Sequence, residues 1–393
     1  MSESETQDGR FIGLAISGGG SRAANFGAAV MLELQQRGLL NQVDVISGVS
    51  GGTLPAVYYG LGDKAGPFEE EAVRKALGYD FQGNWLWRWL LPHNIFRFWF
   101  TDFTRSDIMV QVFNAHLTRK ATFADLRPHP KILLNATVHN DHTRFTFTDD
   151  RFVALQSNLA TYRVANAVNA SSAFPGAFDD VTLENFSRQD PVVLKALGVE
   201  QVKYVHLYDG GPIDNLGMQA IVEYLNRNVT GLRGAKAFPK SCLIFMVDAT
   251  PASEHPEFNL TRSSRRFADY FINTNVLDAM DAMLIESRRS NLVRSGIPVE
   301  KQDQEVRGHF SINDQTGCGC EVRHVALRHL TYMPESAEAP GLAYRVTRIN
   351  TKFWLSKEEQ DDLFKAAKLL VKELEDDQLL PGPDLKTTCD RRA

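Results

Sequence analysis

The sequence predicts an α/β fold in which helices cover a mostly parallel central sheet. Short apolar runs alternate with segments of helical periodicity along much of the 393-residue chain. Runs of this kind are typical of strands buried on both faces, and helices are the usual connections between parallel strands. Glycine-rich turns separate the first two apolar runs from the helices that follow them. These observations favour one large domain with helical insertions over two or three small domains.

The first two strands and helices follow the same pattern. Residues 11–17 form an apolar run that ends at three glycines, which predicts a buried strand. Residues 22–37 have small side chains on one side and end at Gly38, which predicts a helix. Residues 43–47 and 51–60 repeat this order and predict a second strand and a second helix.

Strands and helices continue to alternate further along the chain. Apolar runs predict strands at residues 131–139, 144–148, 203–208 and 242–248, and helical periodicity predicts helices at residues 159–170 and 215–226. Charged side chains between residues 265 and 288 are expected to form the solvated face of another helix. The last helix is the best defined, because Ser356 and Glu359 form a capping box ahead of an apolar stripe.

The expected domain organisation follows from these segments. Residues 1–10 are polar and are expected to be disordered, and residues 381–393 are expected to form a loose tail. Residues 11–380 are expected to form a single domain. Within it, residues 81–105 form an aromatic insertion, and residues 231–343 form an additional region that closes the sheet and caps the site.

Composition excludes several classes of protein. The net charge of −5 argues against a general nucleic-acid binder, and the 43% apolar and 23% charged residues exclude wholesale disorder. The sequence has no apolar stretch of the ~18 residues that a membrane-spanning helix needs. The polar N-terminus has no signal-peptide pattern, so a cytoplasmic location with peripheral membrane association is expected. A secreted or periplasmic location is the alternative if a signal has been removed.

The four cysteines are too few for a disulfide framework. Cys318 and Cys320 are separated by one glycine. Because no second Cys or His pair lies at zinc-finger spacing, an incidental pair is favoured over a metal-binding or redox pair. No metal ion and no cofactor is expected.

Residues 48–52 (GVSGG) are the strongest indication of chemistry. They have the G-x-S-x-G pattern between a predicted strand and a predicted helix. A sharp turn brings backbones close together, so Gly48 and Gly52 avoid a clash that a Cβ would cause. Ser50 lies at the apex, where the positive end of the following helix favours developing negative charge. A glycine-rich turn with an incidental serine is the alternative, but the flanking strand and helix favour a nucleophile.

The glycine run at residues 18–20 also lies between a strand and a helix. Consecutive glycines at a helix start expose N–H groups that bind an anion. The spacing fits a dinucleotide-binding loop, but the next strand ends in Ser47 rather than in the acidic residue that such a loop requires. An oxyanion hole built from the amides of Gly19 and Gly20 is therefore favoured. Arg22 either holds this loop, reaches an anionic head group, or forms a structural salt bridge.

A serine nucleophile needs a base, and Asp209 is the candidate. It ends a predicted strand and is followed by Gly210 and Gly211. The carboxyl edge of a sheet is where α/β enzymes place their sites. Asp-Gly also marks ordinary turns, but its occurrence together with the Ser50 turn favours a catalytic role.

Together these motifs resemble the patatin-like phospholipase family. Members have a glycine-rich loop followed by a basic residue, a G-x-S-x-G turn and an Asp-Gly-Gly or Asp-Gly-Ala. The matching segments here are residues 16–22, 48–52 and 209–211, and residues 170–178 resemble the small-residue and proline stretch that lines the family's active site. The resemblance covers roughly residues 11–226. It implies a three-layer α/β/α fold.

The resemblance also implies a Ser–Asp dyad without a histidine, acting on phospholipids or other acyl lipids. Ser50 would attack the ester carbonyl, and Asp209 would take the proton and return it to the leaving alcohol. The amides of Gly19 and Gly20 would hold the oxyanion. The other residues that the resemblance assigns to support or substrate binding are Gly18, Arg22, Gly48, Gly52, Phe174, Pro175, Gly210 and Gly211.

Residues 85–100 (WLWRWLLPHNIFRFWF) form an aromatic segment. Seven of these residues are aromatic, and a proline near the centre excludes a single spanning helix. Tryptophan interleaved with Arg88, Arg97 and Arg105 suits the headgroup region of a membrane. The segment is expected to dock on a membrane surface or to line an acyl channel, and a buried aromatic subcore is the alternative. Nucleic acid is not an expected partner, and the oligomeric state is not predicted.

Two other functions stay open. His324 and His329 follow Ser50 and Asp209 in the chain order of an α/β-hydrolase, which would give a Ser-His-Asp esterase. The glycine run ahead of the nucleophile and the Asp-Gly-Gly disfavour this alternative. A non-enzymatic lipid-binding protein is the third hypothesis, although such a protein would not need a serine at a sharp turn.

Overall fold

A computed structural model describes residues 10–176, 178–187, 203–229, 241–250, 274–313, 318–334 and 339–381. The expected disorder of residues 1–9 and the loose tail at residues 382–393 lie outside the described residues, as do parts of the 231–343 region. Arg10 belongs to the first strand rather than to a disordered N-terminus.

The described part of the chain contains nine strands. They are β1 (Arg10–Ile16), β2 (Val45–Val49), β3 (Lys131–Val138), β4 (Arg144–Thr146), β5 (Val181–Glu184), β6 (Tyr204–Asp209), β7 (Ser241–Asp248), β8 (Arg307–Asn313) and β9 (Cys318–Ala326). All of them join one sheet in the order β5-β6-β3-β2-β1-β7-β9-β8, with β4 paired to β3. The five central strands, from β3 to β9, are parallel, whereas both edges are antiparallel.

Thirteen α-helices are described around this sheet. They are α1 (Gly20–Gln36), α2 (Thr53–Leu61), α3 (Glu70–Leu77), α4 (Phe81–Trp89), α5 (Pro92–Phe100), α6 (Arg105–His116), α7 (Asp149–Ala154), α8 (Val164–Ser172), α9 (Gly211–Asp214), α10 (Met218–Val229), α11 (Thr274–Arg294), α12 (Leu342–Val346) and α13 (Lys357–Asp376).

The sheet lies between two hydrophobic cores, as alternation along β1 demonstrates. Ile12, Leu14 and Ile16 face one core, which contains the buried faces of α1, α2, α8 and α13. Phe11 and Ala15 face the other, which contains side chains of α10 and α11. Successive strand residues point to opposite faces, so both faces of the sheet are covered. The predicted three-layer α/β/α fold with a mostly parallel centre is confirmed.

Local signals in the sequence set several of these helices. Ser356 caps α13, and its hydroxyl and the Glu359 carboxylate form the predicted capping box. Helix α8 begins later than predicted because residues 159–161 form a 3₁₀ turn. The aromatic segment forms two helices, α4 and α5, and Pro92 occupies the first position of the second. Proline is favoured at that position because the N–H of a first helical residue has no acceptor within the helix, so its loss costs no hydrogen bond.

The strand that carries Asp209 runs antiparallel to the central strands of the sheet. Strand β6 pairs antiparallel with both β5 and β3. Even so, its last residue reaches the carboxyl end of β3, since Asp209 lies opposite Ala136. The neighbouring residue, Asn135, lies opposite Val49 at the end of β2. The register therefore places Asp209 beside the turn that follows β2.

The expectation of an incidental cysteine pair was wrong for Cys320. Cys320 forms a disulfide with Cys242 across the neighbouring strands β9 and β7. Both cysteines are fully buried. The side chain of Cys318 lies outside the described residues. Sequence spacing could not reveal this bond, because its two cysteines are 78 residues apart.

The expected solvated helix face is also wrong at Arg288. This guanidinium is buried, and its Nε donates to the Asp248 carboxylate at the end of β7 with a distance of 2.6 Å. His324 lies 3.1 Å from the same carboxylate oxygen. Because Arg288 and His324 bind Asp248, its pKa is held well below the usual range despite complete burial. These contacts join α11, β7 and β9.

Replacing Arg288 with methionine is expected to lower the free energy of unfolding by about 3–5 kcal/mol, because it leaves the buried Asp248 carboxylate without its main partner. The measurement is urea denaturation near neutral pH. Arg289→Met is the matched control, since this neighbouring arginine is exposed, and a change within about 0.5 kcal/mol is expected there. Equal losses in the two variants would contradict the prediction.

Candidate active site

Ser50 occupies the sharp turn that the G-x-S-x-G pattern predicted. Its φ of 49° lies in the left-handed region, which is strained for a residue with a Cβ. Added Cβ atoms at Gly48 and Gly52 would lie 2.7 Å and 2.5 Å from backbone oxygens. A 3₁₀ turn from Ser50 to Gly52 then leads into α2. Close packing of backbones therefore requires both glycines and holds the serine in this conformation.

Asp209 lies against this serine, and the Ser50 side chain is near enough to favour the ionised carboxylate. The carboxylate also accepts the backbone N–H of Gly211 at 2.8 Å. Burial raises the pKa of Asp209 from 3.8 to about 6, although the Gly211 N–H and the Ser50 side chain act in the opposite direction. A carboxylate with a raised pKa is a stronger base than an ordinary aspartate, and this is what proton abstraction from a serine hydroxyl requires.

Ser171, at the end of α8, connects the two halves of this pair. Its hydroxyl accepts the backbone N–H of Ser50 at 2.8 Å and donates to the carbonyl of Asn135. The backbone carbonyl of Ser171 accepts the N–H of Gly210 at 3.3 Å. The carbonyl of Ala173, two residues further on, accepts the N–H of Asp209 at 3.1 Å. One buried helix end thereby fixes the distance between the serine turn and the aspartate strand.

The glycine loop lies directly beside the serine turn. An added Cβ at Gly51 would be 2.0 Å from the carbonyl oxygen of Gly20. Gly19 and Gly20 have φ values of 136° and 58°, a region that glycine adopts without strain. Among the described residues, the amides of Gly19 and Gly20 donate no hydrogen bond, whereas Gly18 donates to the carbonyl of Asn215. The amides of Gly19 and Gly20 are therefore available to bind an anion.

Arg22 is buried, and its contacts tie the glycine loop to other parts of the chain. Its Nε donates to the carbonyl of Ala249 at 2.6 Å, and its other nitrogens donate to the carbonyl of Ile349 and the hydroxyl of Thr351. With 2% of its surface exposed, it does not extend into solvent as a head-group ligand would. Of the alternatives for this residue, the contacts favour support of the loop.

The remaining candidate residues lie around this centre at different depths. Gly210 and Gly211 follow Asp209 into α9, where an added Cβ at Gly210 would be 2.4 Å from the carbonyl of Asn135. Phe174 and Pro175 are half-buried in the loop that follows α8. This loop contacts the Asp209 strand through the Ala173 carbonyl.

Sequence reasoning gave no individual role to three polar residues of the site: Asn135, Asn215 and Ser171, although Ser171 lies in the 170–178 stretch that was expected to line it. Asn135 donates to the hydroxyl of Ser47 at 2.8 Å and to the carbonyl of Gly48 at 3.0 Å, and so holds the strand before the turn. One signal was present, because Asn135 interrupts the otherwise apolar run at residues 132–136. A polar residue at the centre of a buried strand has to find partners there. Asn215 gave no comparable signal.

The late histidines lie away from Ser50. His324 is hydrogen-bonded to Asp248, and its ring packs against that of His329 at 4.7 Å. Strands β2 and β9 are separated by β1 and β7, which corresponds to about 14 Å across the sheet. In the register of these strands, His324 is level with Ser47 rather than with the turn. The geometry therefore disfavours a Ser-His-Asp arrangement built on these two histidines.

The aromatic segment exposes much of its apolar surface. Its helices α4 and α5 leave Trp87 64%, Trp99 74% and Phe100 71% exposed. The other large apolar side chains exposed on the two helices and the link between them are Leu86, Leu90, Ile95 and Phe96. A buried aromatic subcore is thus wrong for the outer face of this segment. None of the described helices is both long enough and apolar enough to cross a membrane.

The inner face of the same helices is packed. Trp85 contacts the ring of Phe178 at 5.3 Å and donates from Nε1 to the carbonyl of Arg105 at 3.0 Å. Arg105 is itself paired with Asp179. It is therefore unlike Arg88 and Arg97, which form no ion pair within the described ranges.

No described group of His, Cys, Asp and Glu side chains is arranged to hold a metal ion. A cavity of about 520 Å³ opens between α5 and α6, lined by Arg97, Thr101, Asp102, Phe103, Asp107 and Gln111. It contains neither Ser50 nor Asp209.

Comparisons with known proteins bear on the family and the fold. The family model described as patatin-like phospholipase matches residues 14–221. No curated protein sequence matches the chain significantly. The fold is similar to that of human GIVD cytosolic phospholipase A2, with a TM-score of 0.55, 13% identity and 94% of this chain covered. The same human protein in complex with methyl gamma-linolenyl fluorophosphonate gives a TM-score of 0.51, 14% identity and 96% coverage. The matches cover 59% and 60% of those longer chains.

Proposed function

The chain belongs to the patatin-like phospholipase family, and on that premise we propose that it is a lipid acyl hydrolase with Ser50 as nucleophile and Asp209 as base. The observation that carries the proposal is the strained Ser50 turn placed beside a buried aspartate with a raised pKa. The substrate class is a phospholipid or another acyl lipid.

The first half of the proposed reaction forms an acyl-enzyme. Ser50 Oγ attacks the ester carbonyl carbon while its proton passes to the Asp209 carboxylate. The carbonyl oxygen becomes an oxyanion, which the amides of Gly19 and Gly20 and the N-terminus of α1 stabilise. When the tetrahedral intermediate collapses, the ester C–O bond breaks and the leaving alcohol takes the proton from Asp209.

The second half hydrolyses the acyl-enzyme by the same groups. Water attacks the acyl carbon and gives its proton to Asp209, and a second oxyanion forms at the same amides. Collapse releases the fatty acid and returns the proton to Ser50 Oγ. The base and the nucleophile are both restored, and no other proton carrier is needed.

A hydrolysis panel tests the proposed function. The full-length protein is incubated with phospholipid vesicles and with a triacylglycerol emulsion, and released fatty acid is measured. In parallel it is treated with a long-chain fluorophosphonate, and the modified residue is identified by mass spectrometry. We expect fatty-acid release and a single adduct on Ser50. A lipid-binding protein without activity would give neither result, and that outcome would end the proposal.

We further propose that the enzyme reaches its substrate by docking the outer face of α4 and α5 on a membrane surface. This face carries Trp87, Trp99 and Phe100, and residues 81–101 include two arginines but no Asp or Glu. Exposed tryptophan beside unpaired cationic side chains suits the boundary between lipid headgroups and acyl chains. The absence of carboxylates from this stretch avoids repulsion by anionic lipids.

Replacing Trp99 and Phe100 together with alanine is expected to weaken binding to anionic phospholipid vesicles at least ~10-fold, because each large apolar side chain contributes about 1.5–3 kcal/mol when it is fully buried. Vesicle co-sedimentation measures the effect, and hydrolysis of a water-soluble ester is expected to persist. Phe186→Ala is the matched control, since Phe186 is 53% exposed on another part of the chain. Unchanged sedimentation of the double variant would exclude this docking surface.

A further inference from the structure

A short segment outside the family match contacts the glycine loop and the aromatic helices. Residues 349–353 connect α12 to α13 and lie more than a hundred residues beyond the matched region. No sequence motif marks them. Three of their polar groups face the loop that carries Gly19 and Gly20, and their last residue faces α4.

The contacts with the loop restrain it immediately after the candidate oxyanion amides. The carbonyl of Lys352 accepts the N–H of Ser21 at 2.7 Å, immediately after Gly20. The carbonyl of Ile349 and the hydroxyl of Thr351 accept from the Arg22 guanidinium. The segment packs so closely that an added Cβ at Gly20 would lie 2.4 Å from the Lys352 carbonyl oxygen.

The contacts with the aromatic helices run through Phe353. Its ring meets that of Phe178 edge-on at 5.5 Å, and Phe178 in turn meets Trp85 of α4 at 5.3 Å. The backbone N–H of Phe353 donates to the side chain of Gln82, also in α4, at 3.4 Å. The inner face of the helices thus supports the segment, and the segment supports the loop.

A glycine loop needs such support. Consecutive glycines have the largest backbone freedom of any sequence, and they have no side chains with which to fix their own conformation. The amides of an oxyanion hole must lie ~2.7–3.1 Å from the position of the developing charge, and a misplacement of about 1 Å can cost ~10²-fold in rate. The restraint has to come from outside the loop.

We propose that residues 349–353 are a positioning element for the oxyanion hole, held in place by Phe353 against the inner face of the aromatic helices. The inference rests on the proposed function. It assigns no chemical step to the segment. Its residues act through Ser21 and Arg22, which set where the amides of Gly19 and Gly20 point.

Phe353→Ala tests the inference, with a water-soluble short-chain ester as substrate so that vesicle docking does not enter. We expect kcat to fall about 10–100-fold while KM changes less than about threefold, because the hole binds the transition state rather than the substrate. Affinity for a trifluoromethyl ketone, which forms a tetrahedral oxyanion on the serine, is expected to fall in parallel with kcat. Phe353→Leu, which keeps an apolar side chain against Phe178, is expected to recover most of the rate.

Two further variants separate positioning from a general loss of structure. Thr351→Val removes one acceptor of Arg22 at an exposed position, and a fall in kcat of about 3–10-fold is expected without a change in the unfolding midpoint. Trp354→Ala is the matched control, since its ring contacts the Lys352 side chain, and kcat within twofold of wild type is expected.

The outcomes distinguish this inference from the proposed function. An active wild type with unchanged kcat and ketone affinity in both Phe353→Ala and Thr351→Val would overturn the positioning role alone. A wild type that neither hydrolyses the ester nor reacts with a fluorophosphonate would overturn the proposed function, and the inference with it. Parallel losses of kcat and ketone affinity at constant KM would support both.

Discussion

Ser50→Ala is expected to lower hydrolysis of phospholipid and of soluble ester at least ~10⁴-fold, with no fluorophosphonate adduct anywhere on the protein. Alanine keeps the Cβ and removes only the oxygen that would form the acyl-enzyme. The left-handed backbone of the turn is set by packing around Gly48 and Gly52, so it is expected to persist. Circular dichroism and thermal unfolding close to wild type would place the loss in the chemistry rather than in folding.

The chain offers a matched control for this substitution. Ser172 is buried near the site at the end of α8, and its hydroxyl has no hydrogen-bond partner among the described residues. Ser172→Ala is therefore expected to retain activity within a few-fold of wild type and to label at Ser50. Full activity in Ser50→Ala would contradict the entire catalytic assignment, whichever residue is taken as the base.

The sequence was informative where chemistry constrains the backbone. The turn around Ser50 and the Gly19–Gly20 run could be predicted because only glycine tolerates such close approach and such φ values, and these requirements are visible in any single sequence. The strands flanking them were predicted from apolar runs. The central sheet and its covering helices followed, since buried parallel strands have few alternatives in arrangement.

Other parts of the site depend on contacts between distant segments, which leave no local pattern. The antiparallel direction of β6 is set by its pairing with β5 and β3, not by its composition. Ser171 becomes important only because α8 ends beside Ser50, and residues 349–353 only because α13 packs on α1. Arg288 was assigned to solvent because its neighbours along the helix are polar, whereas its partner Asp248 comes from a strand 40 residues earlier.

Asp209→Asn is expected to lower kcat about 10³–10⁴-fold, because asparagine is almost isosteric with aspartate but cannot accept the Ser50 proton. In the wild type, kcat is expected to rise with pH through about 6, where Asp209 loses its proton and becomes a base. This acid limb should disappear from the residual activity of the variant. Asp180→Asn is a control, since Asp180 pairs with His206, which lies on β6 with Asp209. This variant should keep the acid limb of the pH profile.

The same substitution is expected to stabilise the fold, in contrast to its effect on catalysis. Burial raises the pKa of Asp209 from 3.8 to about 6, so the folded state holds the ionised carboxylate at a cost on the order of 3 kcal/mol above pH 6. At pH 4 the folded-state group is almost fully protonated, and most of this cost is absent. Asp209→Asn should therefore increase the free energy of unfolding by about 1–3 kcal/mol at pH 7 and by almost nothing at pH 4.

Urea denaturation of wild type and Asp209→Asn at these two pH values measures the difference. A gain that grows as the pH rises from 4 to 7 would show that the protein holds a destabilised carboxylate at this position, as a catalytic base in a buried site requires. A variant that is less stable than wild type at pH 7 would mean that the interactions of Asp209 with Gly211 and Ser50 outweigh desolvation. Asp209 would then have too low a pKa to serve as an effective base near neutral pH.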